Sequence, residues 1–305
     1  MSCDGLLVID KPAGPTSHDV VRRVRKALGL RRVGHGGTLD PDATGVLLVA
    51  AGQATRFFPF LSKESKVYEG RIRLGFATDT YDASGRPVSE PRSDLPDRDG
   101  LASAMKAFEG NILQTPPRFS AKKLAGRPVY KMARADEEFT LEPVAVTVAR
   151  FALRDYRPPE VDFEAECSSG TYIRSLAHDL GQRLGCGAHL AALRRTSVGP
   201  YSLAEAVPLA DVEEAAARGE VVRFILPLER LLPGAPAVTV RPEAEARVRN
   251  GRVLETADLE PPLPDFGPPD AAAGPVRLFS GGGRLLALAR LSPDGAGLHP
   301  FLVIT

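Results

Sequence analysis

Hydrophobic and polar positions alternate in some segments of the chain and recur with helical spacing in others. Over residues 65–76, Tyr68, Ile72 and Leu74 fall opposite a series of charged residues, which predicts a strand with one buried face. Residues 45–51 are continuously apolar and predict a strand buried on both faces. Residues 6–9, 144–153 and 161–174 are predicted to be strands as well, the last of them reaching Arg174.

Helical spacing begins after the first predicted strand. Thr16 and Asp19 have the spacing of a capping box, apolar residues then recur on one face, and Gly29 is placed to end the helix. Further helices are predicted over 101–109 and over 175–185, where leucines recur every four residues. Because strands outnumber helices and do not alternate strictly with them, the pattern predicts an α+β protein.

Composition changes near residue 230 and predicts a domain boundary. The chain is therefore divided into residues 1–232 and a small β-rich domain over 233–305, with strand-like runs at 238–240, 284–290 and 301–304. A Pro-rich stretch at 259–269 is predicted to be a loop within the second domain.

Charge is balanced over the whole chain but unevenly distributed. The formal net charge is +1, and charged residues make up 25% of the sequence. Residues 111–135 carry six lysines and arginines and no acid, interleaved with Phe119 and Tyr130, while residues 79–109 are rich in acids. Such a basic and aromatic segment is typical of contacts with single-stranded nucleic acid, and equally of a solvated surface loop.

The apolar stretch near the N-terminus is short and is followed at once by Asp10 and Lys11, so neither a signal peptide nor a membrane span is expected. The cysteines, Cys3, Cys167 and Cys186, form no C-x-x-C pair and are interpreted as packing residues of a cytoplasmic protein.

Candidate chemistry is concentrated in residues 34–47, GHGGTLDPDATGVL. Asp40, Asp42 and Thr44 have the spacing of a Mg²⁺-dependent phosphotransfer loop, but the strand that such a loop follows is missing before Asp40. No lysine follows the glycines as in a phosphate-binding loop, and His35 lacks partners at zinc-ligand spacing. No metal site is expected, and an ordinary Asp-Pro turn stays open as an interpretation.

The complete stretch resembles the signature of the bacterial tRNA pseudouridine synthase B family. Further motifs of that family follow in the expected order: Lys11-Pro12, SKVYEG, TPPRFSAKK, CSSGTYIRSLAHDLG and GCGAHLAALRRTSVG. The resemblance implies a pseudouridine synthase fold, with a central mixed, mainly antiparallel sheet flanked by helices, followed by a PUA-like RNA-binding domain. It also implies isomerisation of uridine 55 in the T-arm of tRNA, without cofactor, by a monomer that needs no obligatory protein partner.

The resemblance also implies roles for individual residues. Asp40 would be the nucleophile, and Arg174 would form an ion pair that keeps it charged. Tyr68 would stack on the target base and take part in proton transfer. Asp42 would be a turn residue outside the chemistry.

The remaining implied residues would bind the RNA. They are His35, Tyr172 and Leu193 around the flipped nucleotide, Lys11 in the first motif, and Arg118, Lys122 and Lys123 in a thumb-like segment over 111–135. Tyr172 and Arg174 are expected on the same face of a strand. Phe119 stands where the family commonly has tyrosine, so a stacking face is kept and a hydroxyl is lost.

Three alternatives remain open. The chain could be an RNA-binding or tRNA-folding module without activity, the guide-RNA pseudouridine synthase subunit of archaea and eukaryotes, which shares these motifs, or a Mg²⁺-dependent aspartyl phosphotransferase.

Overall fold

The structure, a computed structural model, describes residues 3–120, 122–124, 126–135, 137–261, 274–292, 295 and 297–304. Most of the predicted Pro-rich loop over 259–269 lies outside these residues. No helix of the described residues is long and apolar enough to cross a membrane.

Strands make up most of the regular structure. They are β1 (Gly5–Lys11), β2 (Val33–His35), β3 (Thr44–Ala51), β4 (Lys66–Leu74), β5 (Gly110–Gln114), β6 (Lys123–Leu124), β7 (Arg127–Pro128), β8 (Val144–Arg157), β9 (Glu160–Cys167), β10 (Ala188–Val198), β11 (Tyr201–Ser202), β12 (Val207–Pro208), β13 (Ala237–Val240), β14 (Leu254–Glu255), β15 (Val276–Ser280), β16 (Leu285–Leu291) and β17 (Gly297–Val303). The helices are α1 (Ser17–Leu28), α2 (Phe58–Leu61), α3 (Arg98–Lys106), α4 (Val129–Arg134), α5 (Ile173–Arg183), α6 (Leu209–Ala217) and α7 (Glu245–Arg249).

The larger sheet has ten strands in the described part of the chain, in the order β12-β1-β3-β10-β4-β9-β8-β5, with β2 beside β3 and β11 beside β10. β3 pairs with β10, and β1 with β12, in parallel, and the other pairs are antiparallel. The sheet is thus mixed and mainly antiparallel, and the predicted α+β class is confirmed.

Both faces of the sheet are covered at β1 and β3. Leu7 and Leu47 belong to the core beneath α1, α5 and α6, whereas Leu6 and Leu48 belong to a second core on the opposite face. This double burial explains the continuous apolar run over 45–51. α1 forms as predicted, with the reciprocal Thr16–Asp19 capping box and Gly29 left-handed at its C-terminus.

A separate sheet follows, with five strands among the described residues, in the order β13-β15-β16-β17-β14. Leu285, Leu288 and Leu302 from this sheet pack into the second core of the larger sheet, so the two sheets share buried apolar surface. The Arg277 guanidinium also donates to carbonyls of the connecting segment, at Leu231 and Ala235 among others.

The predicted strand over 161–174 is wrong at its C-terminal end. β9 ends at Cys167, and Arg174 lies in the first turn of α5, with Tyr172 as the residue that caps it. Tyr172 and Arg174 therefore share no strand face. The pattern also left out β10, the central strand that joins β3 to β4.

Candidate active site

A loop between β2 and β3 carries Asp40, and hydrogen bonds hold it on both sides of that residue. The Ser17 hydroxyl of α1 bonds both the amide nitrogen and the carbonyl oxygen of Leu39, at 2.9 and 3.0 Å. The Lys11 amine donates to the carbonyl oxygens of Pro41 and Ala43, at 2.8 and 2.7 Å. The backbone on either side of Asp40 is thus tied to α1 and β1.

Lys11 is fully buried, so its predicted contact with substrate is replaced by a contact with this loop. Its third hydrogen bond goes to the carbonyl oxygen of Pro12, and it lines neither cavity described below. Burial lowers the pKa of Lys11 to about 8. The Lys11 amine thus joins β1 to carbonyl oxygens that lie 30 and 32 residues away in the sequence.

The expected contact between Arg174 and Asp40 is present. Arg174 Nε lies 2.9 Å from Asp40 Oδ2, and Arg174 Nη2 lies 3.1 Å from Asp40 Oδ1. The remaining donors of the guanidinium bond the carbonyl oxygens of Phe119 and Thr80, at 2.9 and 3.2 Å, and face Asp82 Oδ2 at 3.4 Å. Hydrogen bonds to Asp40, Phe119 and Thr80, together with the ion-pair contacts to Asp40 and Asp82, hold this buried guanidinium in place.

Asp82 is a site residue that the sequence analysis missed. It lies in a loop after β4 that is docked on β10 by reciprocal backbone hydrogen bonds with Leu190. Its Oδ1 accepts hydrogen bonds from the Thr80 hydroxyl and from the backbone and hydroxyl of Ser84. The available signal was the acid-rich character of residues 79–109, which begin with DTYDASG.

The environment raises the pKa of Asp40 above its ordinary value. Desolvation in the cleft is the largest cause, Arg174 opposes it, and the negative charge of Asp82 adds to it. The Asp40 side chain keeps 42% of its surface exposed, and that surface faces the cleft. Arg174 is thus the main group that favours the charged carboxylate.

Two cavities meet at the ion pair. One, of about 490 Å³, is lined by Thr80, Asp82 and Phe119, among others, and the other, of about 380 Å³, by Tyr68, Lys122 and Tyr172. Asp40, Arg174 and Leu193 border both. The carboxylate can therefore be approached from either cavity, with Leu193 as an apolar wall between them.

Tyr68 is buried and lines the smaller cavity, where its ring is available for stacking. Burial raises the pKa of its hydroxyl, so this group is protonated at neutral pH. Tyr172 lines the same cavity, and its backbone is clamped by the Gln114 side chain, which bonds both its amide nitrogen and its carbonyl oxygen.

His35 lies away from both cavities. Its ring contacts His18 edge to face at 5.1 Å, and its Nδ1 is buried without a hydrogen-bond partner in the described residues. Burial lowers the pKa of His35 to about 4, so the imidazole is neutral near pH 7. The structure therefore does not bring His35 to the cavities with the other predicted site residues.

The basic segment is partly paired with acidic neighbours. Arg127 forms an ion pair with Glu137, and the exposed Arg118 bonds the carbonyl oxygen of Glu137 and lies over the Phe139 ring. Lys122 lines the smaller cavity, and Lys123 begins β6. In the described part of the chain, no three or more His, Cys, Asp or Glu residues are grouped to hold a metal ion.

Comparisons with known proteins agree with this architecture. The family model described as TruB family pseudouridylate synthase, N terminal domain, matches residues 25–173, and the one described as tRNA pseudouridylate synthase B C-terminal domain matches residues 174–233. Fold and site together place the chain in the class of pseudouridylate synthases. Within that class, the chain belongs to the TruB family.

Curated relatives match over most of their length. A tRNA pseudouridine synthase B from Thermobifida fusca is 44% identical over 94% of each chain. One from Syntrophotalea carbinolica is 41% identical over 96% of this chain and 94% of its own. The predicted family resemblance is confirmed.

Solved structures share the fold at lower identity. A chain in an H/ACA ribonucleoprotein bound to a substrate RNA containing 2′-deoxyuridine has a TM-score of 0.76 at 27% identity, covering 99% of this chain and 86% of that one. A chain in a Cbf5-Nop10-Gar1 complex has a TM-score of 0.75 at 29% identity, covering 98% and 84%. The predicted pseudouridine synthase fold, with a separate C-terminal β domain, is confirmed.

Proposed function

We propose that this protein is a tRNA pseudouridine synthase that isomerises uridine 55 in the T-arm. The observation that carries this is the two-point contact between Arg174 and Asp40 at the meeting of the two cavities, with Tyr68 on the wall of one of them. Curated relatives at 41–44% identity carry the name tRNA pseudouridine synthase B, which supports the same substrate class.

The reaction converts an N-glycoside into a C-glycoside of the same composition. The bond between N1 of uracil and C1′ of ribose breaks, the base turns, and a bond forms between C5 and C1′, with loss of the C5 proton and gain of a proton at N1. Asp40 is the nucleophile that forms a covalent intermediate, on ribose or on the base. Atoms and electrons balance within the nucleotide, so the proposed reaction uses no cofactor.

The smaller cavity is proposed to receive the flipped base. Tyr68 supplies a stacking face, Leu193 an apolar wall, and Tyr172 a further contact near the carboxylate. Extruding the base from a folded arm costs about a few kcal/mol of unstacking, which these contacts offset. Burial raises the pKa of Tyr68, so its hydroxyl stays protonated and can take part in hydrogen bonding in the cavity.

The surface around the cavities is proposed to bind the RNA backbone. Arg118, Lys122 and Lys123 of the basic segment would neutralise phosphates, and Phe119 would stack without a hydroxyl of its own. We assign residues 1–232 to catalysis and residues 233–305 to a PUA-like RNA-binding domain. His35, whose ring lies 5.1 Å from that of His18, lines neither cavity and is not assigned to the contact with the flipped base.

The protein is proposed to act in the cytoplasm as a monomer on bare tRNA, without an obligatory protein partner. Two relatives, of which 94% and 92% match this chain, carry the name of a tRNA enzyme, whereas the solved chain in the H/ACA complex belongs to a ribonucleoprotein. Activity on a tRNA transcript without other proteins would separate this proposal from the guide-RNA subunit alternative.

The test is conversion of an unmodified tRNA transcript by the purified protein in EDTA, with pseudouridine mapped chemically. Wild type and Asp42→Ala should modify the T-arm, since Asp42 is exposed and forms no ion pair with Arg174 among the described residues. Asp40→Asn should bind RNA but not modify it. Turnover by Asp40→Asn would contradict the proposal. RNA binding by wild type without modification would favour the RNA-binding alternative.

A further inference from the structure

Two buried cations are neighbours of Tyr68 in the sheet. Lys66 precedes Tyr68 by two residues on the same face of β4, and Arg195 is its direct cross-strand neighbour on β10. Only 5% of Lys66 and 1% of Arg195 is exposed, yet both line the smaller cavity together with Tyr68 and Asp40.

The two cations lie close to each other and to the loop that carries Asp40. A Cβ atom at Gly37, three residues before Asp40, would be 3.8 Å from Lys66 Cε and 3.6 Å from Arg195 Nη1. Burial together with the charge of Arg195 lowers the pKa of Lys66 to about 8. At neutral pH both still carry charge.

Neither cation has an acidic partner within the described residues. The Lys66 amine donates to the carbonyl oxygens of Ser62 and Glu64, and Arg195 donates to those of Gly37, Thr38 and Val46. Cys167 faces Lys66 across β9, but burial raises the pKa of its thiol to about 11, so it is neutral.

Such a pair is costly unless an anion joins it. Buried charges in proteins are normally paired, because removing a lone ion from water is expensive. Asp40 borders the same cavity, but both of its oxygens face Arg174. The unpaired positive charge thus lies where the flipped base is proposed to bind.

We propose that Lys66 and Arg195 stabilise the uracil ring as it leaves ribose. This rests on the proposed function. When the bond between N1 and C1′ breaks, its electron pair stays on the base, and the negative charge spreads over N1, O2 and O4. Preorganised cations lower the energy of that state without reorganising during the reaction. C5 then bonds to C1′ as the bond between Asp40 and C1′ breaks, the C5 proton is lost, N1 gains a proton, and the charge disappears.

A structural role predicts a different result. If Lys66 only ties down Ser62 and Glu64, its loss slows reaction of every substrate by the same factor. If Lys66 stabilises a leaving anion, its loss matters less when the base leaves more readily. A fluorine at C5 withdraws electrons and makes uracil a better anion, so 5-fluorouridine in the same T-arm separates the two roles.

The experiment is single-turnover loss of the target N-glycoside, in uridine and 5-fluorouridine transcripts, by wild type, Lys66→Met and Lys66→Gln. We expect either neutral variant to lose about 100-fold on uridine and about 10-fold or less on 5-fluorouridine. Lys66→Arg should keep the wild-type ratio between the substrates. Lys63→Met, an exposed lysine three residues away, should keep wild-type rates on both.

Equal losses on both substrates, in whichever neutral variant folds and binds RNA, would overturn the inference and leave the proposed function intact. Lack of activity in wild type on both substrates would instead reject the proposed function. Restoration of the wild-type ratio by Lys66→Arg would assign the effect to charge rather than to packing.

Discussion

Arg174 grips the Asp40 carboxylate side-on, with Nε 2.9 Å from one oxygen and Nη2 3.1 Å from the other. The guanidinium is buried and the carboxylate faces a cleft, so the pair is poorly solvated. Charge–charge interactions are strong in such surroundings, and a planar guanidinium matches the two oxygens in a way that an ammonium group does not. The relationship implies that Arg174 controls both the charge and the orientation of Asp40.

Replacing Arg174 should therefore change the pH dependence of the reaction. Asp40 must be ionised, so kcat/KM falls as pH drops through its pKa, which is already raised by desolvation. Arg174 is the main group that lowers the pKa of Asp40, so in Arg174→Met this pKa should rise further. The acidic limb of the kcat/KM profile should therefore move to higher pH. The plateau should drop about 100-fold or more, because the carboxylate loses its orientation.

In Arg174→Lys the acidic limb should lie closer to wild type than in Arg174→Met, because an ammonium group keeps the positive charge. The plateau of kcat/KM should recover little, because lysine loses the two-point contact with the carboxylate. The measurement is kcat/KM for a tRNA transcript from pH 5 to 9. An acidic limb that stays in place in Arg174→Met would contradict the assigned role.

Replacing Asp82 should move the acidic limb of the kcat/KM profile in the opposite direction. Its negative charge raises the pKa of Asp40, so Asp82→Asn should move the acidic limb to lower pH. The plateau should still fall, by about 10-fold, because Arg174 loses an ionic acceptor at 3.4 Å. The pH profile is compared with that of Asp179→Asn, a partly buried carboxyl on α5 that does not line either cavity. A shift to higher pH in Asp82→Asn would reject this electrostatic coupling.

Much of the fold could be predicted because its signals are local. The capping box of α1 and the alternation in β4 depend on neighbouring residues, and both formed as predicted. The start of α5 could not be predicted, because its cap residue Tyr172 makes no capping hydrogen bond with its side chain. Gln114, 58 residues away, holds that backbone instead. Local sequence patterns do not predict a partner so far away in the sequence.

The site shows the same division. The motif around Asp40 and the match at Arg174 were sufficient to predict their pairing. Asp82 reaches the site only because its loop docks on Leu190 of β10, a strand the pattern did not predict. Lys11 was matched to the family motif, but its burial depends on carbonyl oxygens 30 and 32 residues away.

Lys11→Met should lower kcat and stability while RNA binding stays near wild type. The change removes the donor to the carbonyl oxygens of Pro41 and Ala43, which follow Asp40 in its loop, and unpaired buried carbonyls cost about 1–3 kcal/mol. KM should change little because Lys11 lines neither cavity. Denaturant unfolding and single-turnover kinetics check this, with Lys63→Met as an exposed lysine control. A large KM effect with unchanged stability would instead indicate direct RNA contact.

Wild type and Lys11→Met should also differ in the pH dependence of their unfolding free energy. The pKa of Lys11 is about 8 in the folded protein and 10.5 ordinarily, so the unfolded chain binds more protons between these values. The unfolding free energy of wild type should therefore rise with pH across this window, relative to Lys11→Met. A difference that stays constant from pH 7.5 to 10 would contradict the buried, charged state.

Replacing Gly45, which follows the Asp40 loop, should lower both stability and activity more than replacing Gly14. It has φ +98° at the start of β3, and a Cβ there would lie 2.1 Å from the carbonyl oxygen of Arg195, its parallel partner on β10. Gly14 is a matched control, because it has φ +103° but nothing within 4 Å of the same position. Gly14→Ala should lose about 1–3 kcal/mol of unfolding free energy through backbone strain alone. Gly45→Ala must also separate β3 from β10, which join the Asp40 loop to Leu193, so it should lose clearly more stability and most activity. Equal stability losses in urea unfolding would show that the close approach of these strands is not required.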